Sequence, residues 1–247
     1  DRPFFLYVAY NAVHAPPQAP EEDIRSETGD EVRDTLMAML MHLDAGVGQI
    51  VETLKSGQCF DDTLLVYLTD NGGSKAMHAD NTPLRGFKQD DYEGGIRVPF
   101  IVSWPAQLEG GTKCHVPVFS IDILPTALAA AGVPLPKGRI LDGKNRLPAL
   151  KGEVDTLHEH LFWSSAGGRG KWAVRSGRWK LVAVNDRIEL FDLDADASET
   201  TDLAAKHPEV VAELEALLDK SRGGVPASPH ALPVPDRDAL SVTSERR

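Results

Sequence analysis

The sequence has little cysteine, no excess of positive charge and no long apolar run. Two cysteines among 247 residues cannot build a disulfide framework, and no Cys-x-x-Cys spacing indicates a zinc site. The net charge of −11 argues against sequence-independent binding to nucleic acid or to an acidic membrane surface. No stretch reaches the roughly 18 apolar residues that a membrane-spanning helix needs. These absences argue against a disulfide scaffold, a nucleic-acid-binding protein and a membrane-spanning chain.

The first part of the chain alternates between strand and helix patterns. Its hydrophobic fraction of 42% is ordinary for a globular protein with a substantial core. Apolar runs predict strands at 4–10, 63–69 and 96–104, and apolar residues at steps of three and four predict a helix over 31–55, with a glycine as its C-cap. A second helix is predicted at 120–132, with its serine as the N-cap. This order predicts an α/β domain with a largely parallel sheet.

The pattern then changes to shorter, alternating segments. The segment 172–193 alternates apolar and polar residues around two turn signals, which predicts an antiparallel meander, and a helix follows at about 208–220. The last residues are rich in proline, serine and charge, which predicts a mobile tail. We therefore expect an α/β part at 1–152, a small α+β subdomain at 153–222 and a tail at 223–247.

Polar side chains follow two of the predicted strands. Asn11 and His14 follow the first strand, and Asp70 and Asn71 follow the apolar run of TLLVYLTDNGG. In open parallel sheets, ligands bind at the carboxyl ends of strands. An adjacent carboxylate and amide supply hard oxygen ligands, which suit Ca²⁺ or Mg²⁺ rather than zinc. Asn-Gly after a strand is also the strongest short hairpin signal, so a plain turn is the alternative from these residues alone.

A cationic loop follows in NTPLRGFKQDDYEGGIRVPFIVSWP. Arg85 and Lys88 stand ahead of a Gly-Gly pair. Cations beside a divalent metal would neutralise the charge of an anionic ligand. The alternative is a solvated loop, in which the three acidic residues of the same segment pair with these cations.

Together and in this order, the segments resemble the sulfatase family of the alkaline phosphatase superfamily. FFLYVAYNAVHAPPQAP is similar to the strand and loop that carry the family's substrate-contacting histidine. LLVYLTDNGG resembles its metal-binding strand end, and PLRGFKQDDYEGGIRVPFIVSWP resembles its lysine loop. LDGKNRLPALKG resembles the linker that closes the large domain, and AVRSGRWKLV and ELFDLDADASETTDLAAKHPEVV resemble the small C-terminal domain. The resemblance implies an alkaline-phosphatase-like mixed, largely parallel sheet flanked by helices, of which 1–152 is the C-terminal part.

The resemblance also implies roles for individual residues. By position, Asp70 and Asn71 become calcium ligands, with Ca²⁺ favoured over Mg²⁺. His14 becomes a contact to the sulfate or its leaving oxygen, and Lys88 a second sulfate contact, so both are candidate catalytic and substrate-binding residues. The implied reaction is hydrolysis of an aryl or carbohydrate sulfate monoester, with His14 as the candidate that protonates the leaving oxygen. The family's substrates imply a periplasmic, secreted or lysosomal location.

The family's nucleophile has no counterpart in these residues. It is a formylglycine made from Cys/Ser-x-Pro-x-Arg, and neither Cys59, Cys114 nor any serine has proline and arginine at that spacing. The family's paired aspartates and its Gly-Lys-x-His segment are missing too. The sequence thus resembles the second half of a sulfatase. Because Ca²⁺ takes about six to eight oxygens, we expect the isolated 247 residues to be inactive and poorly stable.

Two other functions stay open at this point. One is a phosphomonoester or phosphodiester hydrolase of the same superfamily, although a single Asp-Asn pair argues against its two-metal site. The other is a non-catalytic binder of sulfated glycans that keeps His14 and Lys88 for recognition. A Cys-x-Pro-x-Arg segment upstream would favour the sulfatase. Neither the identity of the ester nor an oligomeric state follows from the residues.

Overall fold

The computed structural model describes residues 3–164, 171–185 and 187–222, and their secondary structure is mixed α/β, as predicted. The helices are α1 Glu31–Ser56, α2 Glu93–Ile96, α3 Ile123–Ala130, α4 Leu147–Leu150 and α5 Pro208–Arg222. The strands are β1 Leu65–Leu68, β2 Phe100–Ser103, β3 Leu161–Trp163, β4 Lys171–Ser176, β5 Trp179–Val184 and β6 Arg187–Asp192. Single 3-10 turns occur at Glu21–Asp23, Lys75–Met77 and Ser120–Asp122.

The described residues form two compact units. The first unit is made from residues of 1–88 and 93–159, and the second from residues of 89–92 and 160–247. The tail predicted at 223–247 lies outside the described residues. No helix in the described part of the chain is long and apolar enough to cross a membrane.

The long helix α1 confirms the helix predicted at 31–55. Asp30 caps its start, because its Oδ1 accepts hydrogen bonds from Val32 N (3.0 Å) and Arg33 N (3.1 Å). Gly57 is the C-cap, as predicted, and its N–H donates to Thr53 O (2.9 Å). One face of the helix packs on Met77 in a small apolar cluster, which joins α1 to the loop after β1.

The cap at Asp30 gives a first prediction. Asp30→Ala should lower the melting temperature by about 2–4 °C, whereas Asp30→Asn, which keeps a capping oxygen, should lower it less. Backbone hydrogen bonding from Arg33 and the side chain of His78 hold the pKa of Asp30 below its usual value. The stability from this carboxylate is therefore present above pH about 4 and lost as the pH falls through the lowered pKa.

Thermal unfolding at pH 7 and pH 3 tests this account of the cap. The melting temperatures of Asp30→Ala and the unaltered chain should differ at pH 7 and converge at the lower pH. Equal melting temperatures at pH 7 would contradict it.

The strands β1 and β2 confirm two of the predicted strands, each shorter than its apolar run. They pair antiparallel, with Leu65 opposite Ser103 and Leu68 opposite Phe100, so the described pairing is not the parallel one expected. The strand predicted at 96–104 starts later than expected, because residue 96 is the last residue of the short helix α2. Arg97 N donates to Glu93 O (2.7 Å) at the end of that helix. The antiparallel pairing still places the end of β1 at the edge where β2 begins.

The buried strand predicted at 4–10 was wrong for the described structure. This segment has no strand assignment, and its large apolar side chains are exposed, Phe5 by 77% and Tyr7 by 80%. A strand requires a neighbour for its hydrogen bonds, and the sheets of the described residues place none beside this segment. The apolar run therefore marks an uncovered surface of the first unit.

The helix predicted at 120–132 forms as the 3-10 turn followed by α3. Phe119 N donates to Asp122 Oδ2 (2.8 Å), so Asp122 caps this start, and the serine predicted as N-cap lies inside the turn. Gly132 follows α3 in the left-handed region (φ +67°), which glycine adopts without strain. Asp122 is fully buried and also accepts from Lys144 N (2.8 Å) and His158 Nε2 (2.9 Å). Asp122 thereby anchors the linker segment, residues 141–152, at the start of α3.

The second unit is an antiparallel sheet with one helix, as predicted for the end of the chain. Its strands have the order β3-β4-β5-β6, and β4 to β6 are the predicted meander. Leu214 and Leu218 of α5 pack on Trp172, Leu181 and Leu190 of the sheet. One face of the sheet is thus covered by α5, and Ala173, Val182 and Phe191 of the opposite face are buried in a second cluster.

Candidate active site

The residues predicted as metal ligands lie immediately after β1. Asp70 is exposed and Asn71 is half-buried, and Asn71 Nδ2 donates a hydrogen bond to Asp70 Oδ2. A type I′ hairpin turn would need positive φ at both Asn71 and Gly72, and neither residue has it. This segment is therefore not a type I′ hairpin turn. The carboxylate and the amide lie side by side at one edge of the first unit.

The glycines after Asn71 serve close backbone packing. A β-carbon on Gly72 would lie 1.8 Å from the carbonyl oxygen of Gly94, and Gly72 N donates to Gly95 O (2.9 Å). Gly94 N in turn donates to Arg85 O (2.7 Å). The end of β1, the cationic loop and the start of α2 are thus held together through backbone atoms. The Gly-Gly pairs at 72–73 and 94–95 are the signal of this approach in the sequence.

The structure brings Lys88 and His14 into direct contact. Lys88 Nζ lies 3.0 Å from His14 Nε2, although the two residues are 74 positions apart. His14 Nδ1 lies 2.8 Å from Ala15 O, and because a carbonyl oxygen only accepts, Nδ1 carries the hydrogen. Nε2 of the neutral ring is then the acceptor, and Lys88 donates to it. This contact orients both side chains toward one another at the surface of the unit.

The two predicted pairs are joined through one backbone group. Lys88 N donates to Gly73 O (2.9 Å), and Gly73 stands two residues after Asn71. The structure therefore holds His14 against Lys88, Asp70 against Asn71, and the lysine backbone against the loop that carries the metal-ligand candidates. Asn81, which was not predicted as a site residue, bonds to Gly73 and Gly86 in the same loops. No spacing rule reveals it, because its partners are backbone atoms.

The chemistry of Asp70 and Asn71 fits part of a calcium shell. Carboxylate and amide oxygens are hard ligands of the kind Ca²⁺ prefers, and the ion takes about six to eight of them. Within the described residues, no group of three or more His, Cys, Asp or Glu side chains could hold a metal ion. Asp70 and Asn71 therefore fit one side of a calcium shell, not the whole shell.

Three other polar side chains of the first unit have structural partners. His78 Nδ1 lies 2.6 Å from the helix cap Asp30, and His42 Nε2 lies 2.8 Å from Asp23. The exposed Arg97 pairs with Glu93 at 3.6 Å, one helical turn away. These contacts brace α1 and α2, and they contribute nothing to the contact between Lys88 and His14.

The chain is similar to solved structures and matches two family models. The chain superposes on the solved structure of Ps i-CgsB with a TM-score of 0.83 at 33% identity, covering 91% of this chain and 51% of that one. A lower likeness to the phosphonate monoester hydrolase SpPMH of Silicibacter pomeroyi (TM-score 0.59, 23% identity) shows the fold alone. The fold is alkaline-phosphatase-like and mixed α/β, as predicted. The Sulfatase family model matches residues 1–133, and the C-terminal model of N-sulphoglucosamine sulphohydrolase matches 87–223. The chain belongs to the sulfatase family.

Curated relatives extend over the same region. An N-acetylgalactosamine-6-O-sulfatase of Bacteroides thetaiotaomicron is 32% identical over 247 aligned residues, which cover 89% of this chain and 47% of that protein. Arylsulfatase A of Homo sapiens is 32% identical over 223 residues, covering 87% and 43%. The chain therefore spans about half the length of the curated relatives it matches.

Proposed function

We propose that the natural protein containing these residues hydrolyses sulfate monoesters, and that this chain supplies the cationic side of the sulfate site. The observation that carries the proposal is the 3.0 Å contact between Lys88 Nζ and His14 Nε2. Two side chains distant in sequence converge there, and a backbone bond ties Lys88 to the loop that follows a carboxylate–amide pair suited to a hard cation. A sulfate ester is an anion, and preorganised donors aimed at its oxygens would stabilise the charge that develops during hydrolysis.

Lys88 is the proposed sulfate contact. Its ammonium has three hydrogens, and the bond to His14 uses one of them. The other two hydrogens are available to sulfate oxygens. The backbone bond from Lys88 N to Gly73 O holds the base of the side chain (2.9 Å), so the cation is positioned before substrate arrives.

His14 is the proposed donor to the leaving oxygen. The bond from its Nδ1 to Ala15 O fixes the orientation of the ring and leaves Nε2 as the reactive nitrogen (2.8 Å). To protonate the leaving oxygen, Nε2 must first take up a proton from water, and the Lys88 ammonium must move from Nε2 toward the sulfate to make room for it. Substrate binding would provide that movement, since the sulfate charge attracts the ammonium.

The metal and the nucleophile complete the proposal. Asp70 and Asn71 would hold Ca²⁺, which supplies positive charge next to the sulfate oxygens. We place the remaining calcium ligands and the formylglycine in the part of the relatives' length that these 247 residues do not span. The isolated chain is then inactive, and the exposed side chains of residues 4–10 are a surface that this other part covers.

The relatives favour a carbohydrate sulfate as substrate. The B. thetaiotaomicron relative is named for a sulfated amino sugar, and Ps i-CgsB has been solved with a neocarrahexaose. We therefore propose a sulfated sugar or polysaccharide, met outside the cytoplasm in a periplasmic, secreted or lysosomal setting.

A matched pair of esters tests the proposed function. The natural protein, supplied with calcium, is assayed with 4-nitrophenyl sulfate, 4-nitrophenyl phosphate and a sulfated oligosaccharide. We expect kcat/KM for the sulfate to exceed that for the phosphate by more than about tenfold, because the site is built for one metal and a singly charged ester. A faster phosphate ester would overturn the proposal in favour of a phosphohydrolase. Binding of the oligosaccharide without any turnover would favour a glycan binder.

A further inference from the structure

The side-chain amide of Asn81 bridges two glycines of the active-site loops. Its Oδ1 accepts from Gly73 N (3.1 Å), and its Nδ2 donates to Gly73 O (3.1 Å) and to Gly86 O (3.0 Å). The amide pairs with Gly73 as a residue of a neighbouring strand would, and both of its hydrogens are used. An aspartate has no hydrogen to donate, and a serine has only one. The pattern therefore specifies an amide at this position.

Both bridged glycines act on the position of Lys88. Gly86 precedes Lys88 by two residues, and Gly73 O also accepts from Lys88 N (2.9 Å). The backbone of the lysine loop is thus tied to Asn81 directly at Gly86 and indirectly through Gly73. At the other end of the side chain, Lys88 Nζ reaches His14. A shift of either glycine would displace the ammonium from that contact.

Packing around the bridge leaves these loops little freedom. A β-carbon on Gly73 would lie 2.5 Å from Asn81 Oδ1 and equally close to the side chain of Ala79. A β-carbon on Gly94 would lie 2.5 Å from Gly86 O. Since real β-carbons do not approach other atoms so closely, the amide lies directly against glycine backbone. The bridge therefore packs against backbone that leaves no room for a side chain at Gly73 or Gly94.

The bonds of Asn81 are not those of an ordinary turn. Asparagine in a turn bonds to its own backbone about two residues on. The side chain of Asn81 instead reaches eight residues back, to Gly73, and five residues forward, to Gly86. The local turn is made by its backbone carbonyl, which accepts from Leu84 N (2.9 Å). Of the bonds that Asn81 makes, those of its side chain link the two loops.

We propose that Asn81 is a positioning residue, which holds the Lys88 ammonium in place for the sulfate through Gly73 and Gly86. The inference rests on the proposed function, because it concerns the same sulfate contact. It assigns to Asn81 an effect on turnover that passes through Lys88 and that a residue needed only for folding would not have.

The first test compares Asn81→Asp with Asn145→Asp in the natural protein. The aspartate at 81 keeps an acceptor for Gly73 N but faces two carbonyls that it cannot donate to, so kcat for a sulfate ester should fall about 10- to 100-fold. Asn145 only accepts a bond from Leu147 N (3.1 Å), and its aspartate variant should keep full turnover. Asn81→Ser, which is neutral, should also lower kcat, and it carries the test if the aspartate variant does not fold.

A double-mutant cycle separates positioning from stability. In a Lys88→Ala background the Asn81 variants should change kcat by less than about twofold, because the side chain they position is gone. Equal losses in both backgrounds would overturn the inference. So would an unchanged kcat per folded molecule in a variant that only melts earlier.

The unaltered protein separates failure of this inference from failure of the proposed function. Its sulfate-ester turnover and its binding of inorganic sulfate, measured by calorimetry, test the function itself. If both are absent, the function and the inference fall together. If both are present and Asn81→Asp matches the unaltered protein, only the role of Asn81 is overturned.

Discussion

Lys88→Ala is expected to lower kcat of the natural protein for a sulfate ester by about 10²- to 10³-fold, the loss typical when one preorganised donor to a developing anion is removed. Lys88 Nζ lies 3.0 Å from His14 Nε2, and Lys88 N lies 2.9 Å from Gly73 O, so both ends of this residue have a partner. Removing it leaves the sulfate charge without that donor in the transition state. The fold should survive, because Lys88 is only half-buried.

Two further lysine variants make this result specific. Lys113→Ala removes an exposed lysine from the same unit and should leave kcat unchanged. Lys88→Arg keeps the charge but not the compact ammonium, so its kcat should lie between those of the alanine variant and the unaltered protein. Turnover of Lys88→Ala at the level of the unaltered protein would remove Lys88 from the site, and the proposed mechanism would lose its main support.

Asp122→Ala is expected to cost about 3–5 kcal/mol of unfolding free energy, the range for breaking a buried ion pair from one side. Asp122 has no exposed surface, and the guanidinium of the buried Arg146 lies 3.9 Å from its Oδ2. Burial lowers the pKa of Arg146 to about 10, and the charge of Asp122 opposes that shift. Without the carboxylate, the buried cation loses its opposite charge, and the N–H of Phe119 loses its acceptor.

Denaturant unfolding of Asp122→Ala beside Asp62→Ala checks this expectation. Asp62 is an exposed aspartate of the same unit, and its loss should change the free energy of unfolding by less than about 0.5 kcal/mol. Asp122→Asn keeps an acceptor oxygen but no charge for Arg146, so it should lie between the two. If Asp122→Ala unfolded at the same denaturant concentration as the Asp62 variant, the buried cluster would not stabilise this unit.

The elements that could be predicted from the sequence are those in which apolar residues recur at the period of the helix or strand itself. Helix α1 repeats apolar residues over 26 positions, and the meander alternates them on both sides of tight turns, so local pattern and final structure agree. The run at 4–10 has the same apolar signal as a strand. A strand also depends on a neighbour elsewhere in the protein, and no local pattern reports whether one is present.

The residues of the candidate site also differ in whether they could be predicted from the sequence. Asp70 and Asn71 could be found because they end a strand, and Lys88 and His14 because their segments resemble those of a family. Their contact could not be derived from spacing, since 74 residues separate them. Asn81 and Asp122 escaped sequence reasoning because their main partners are backbone N–H and carbonyl groups, which every residue carries.

Peptide mapping of the natural protein by mass spectrometry tests the central claim most directly. The protein is isolated from its own source, and every peptide upstream of the Asp1 position is sequenced. The proposal predicts a Cys-x-Pro-x-Arg or Ser-x-Pro-x-Arg peptide whose first residue has the mass of formylglycine, on the same polypeptide as Lys88 and His14. Complete coverage of the natural chain without such a peptide would contradict it, because the sulfate site described here would then have no nucleophile.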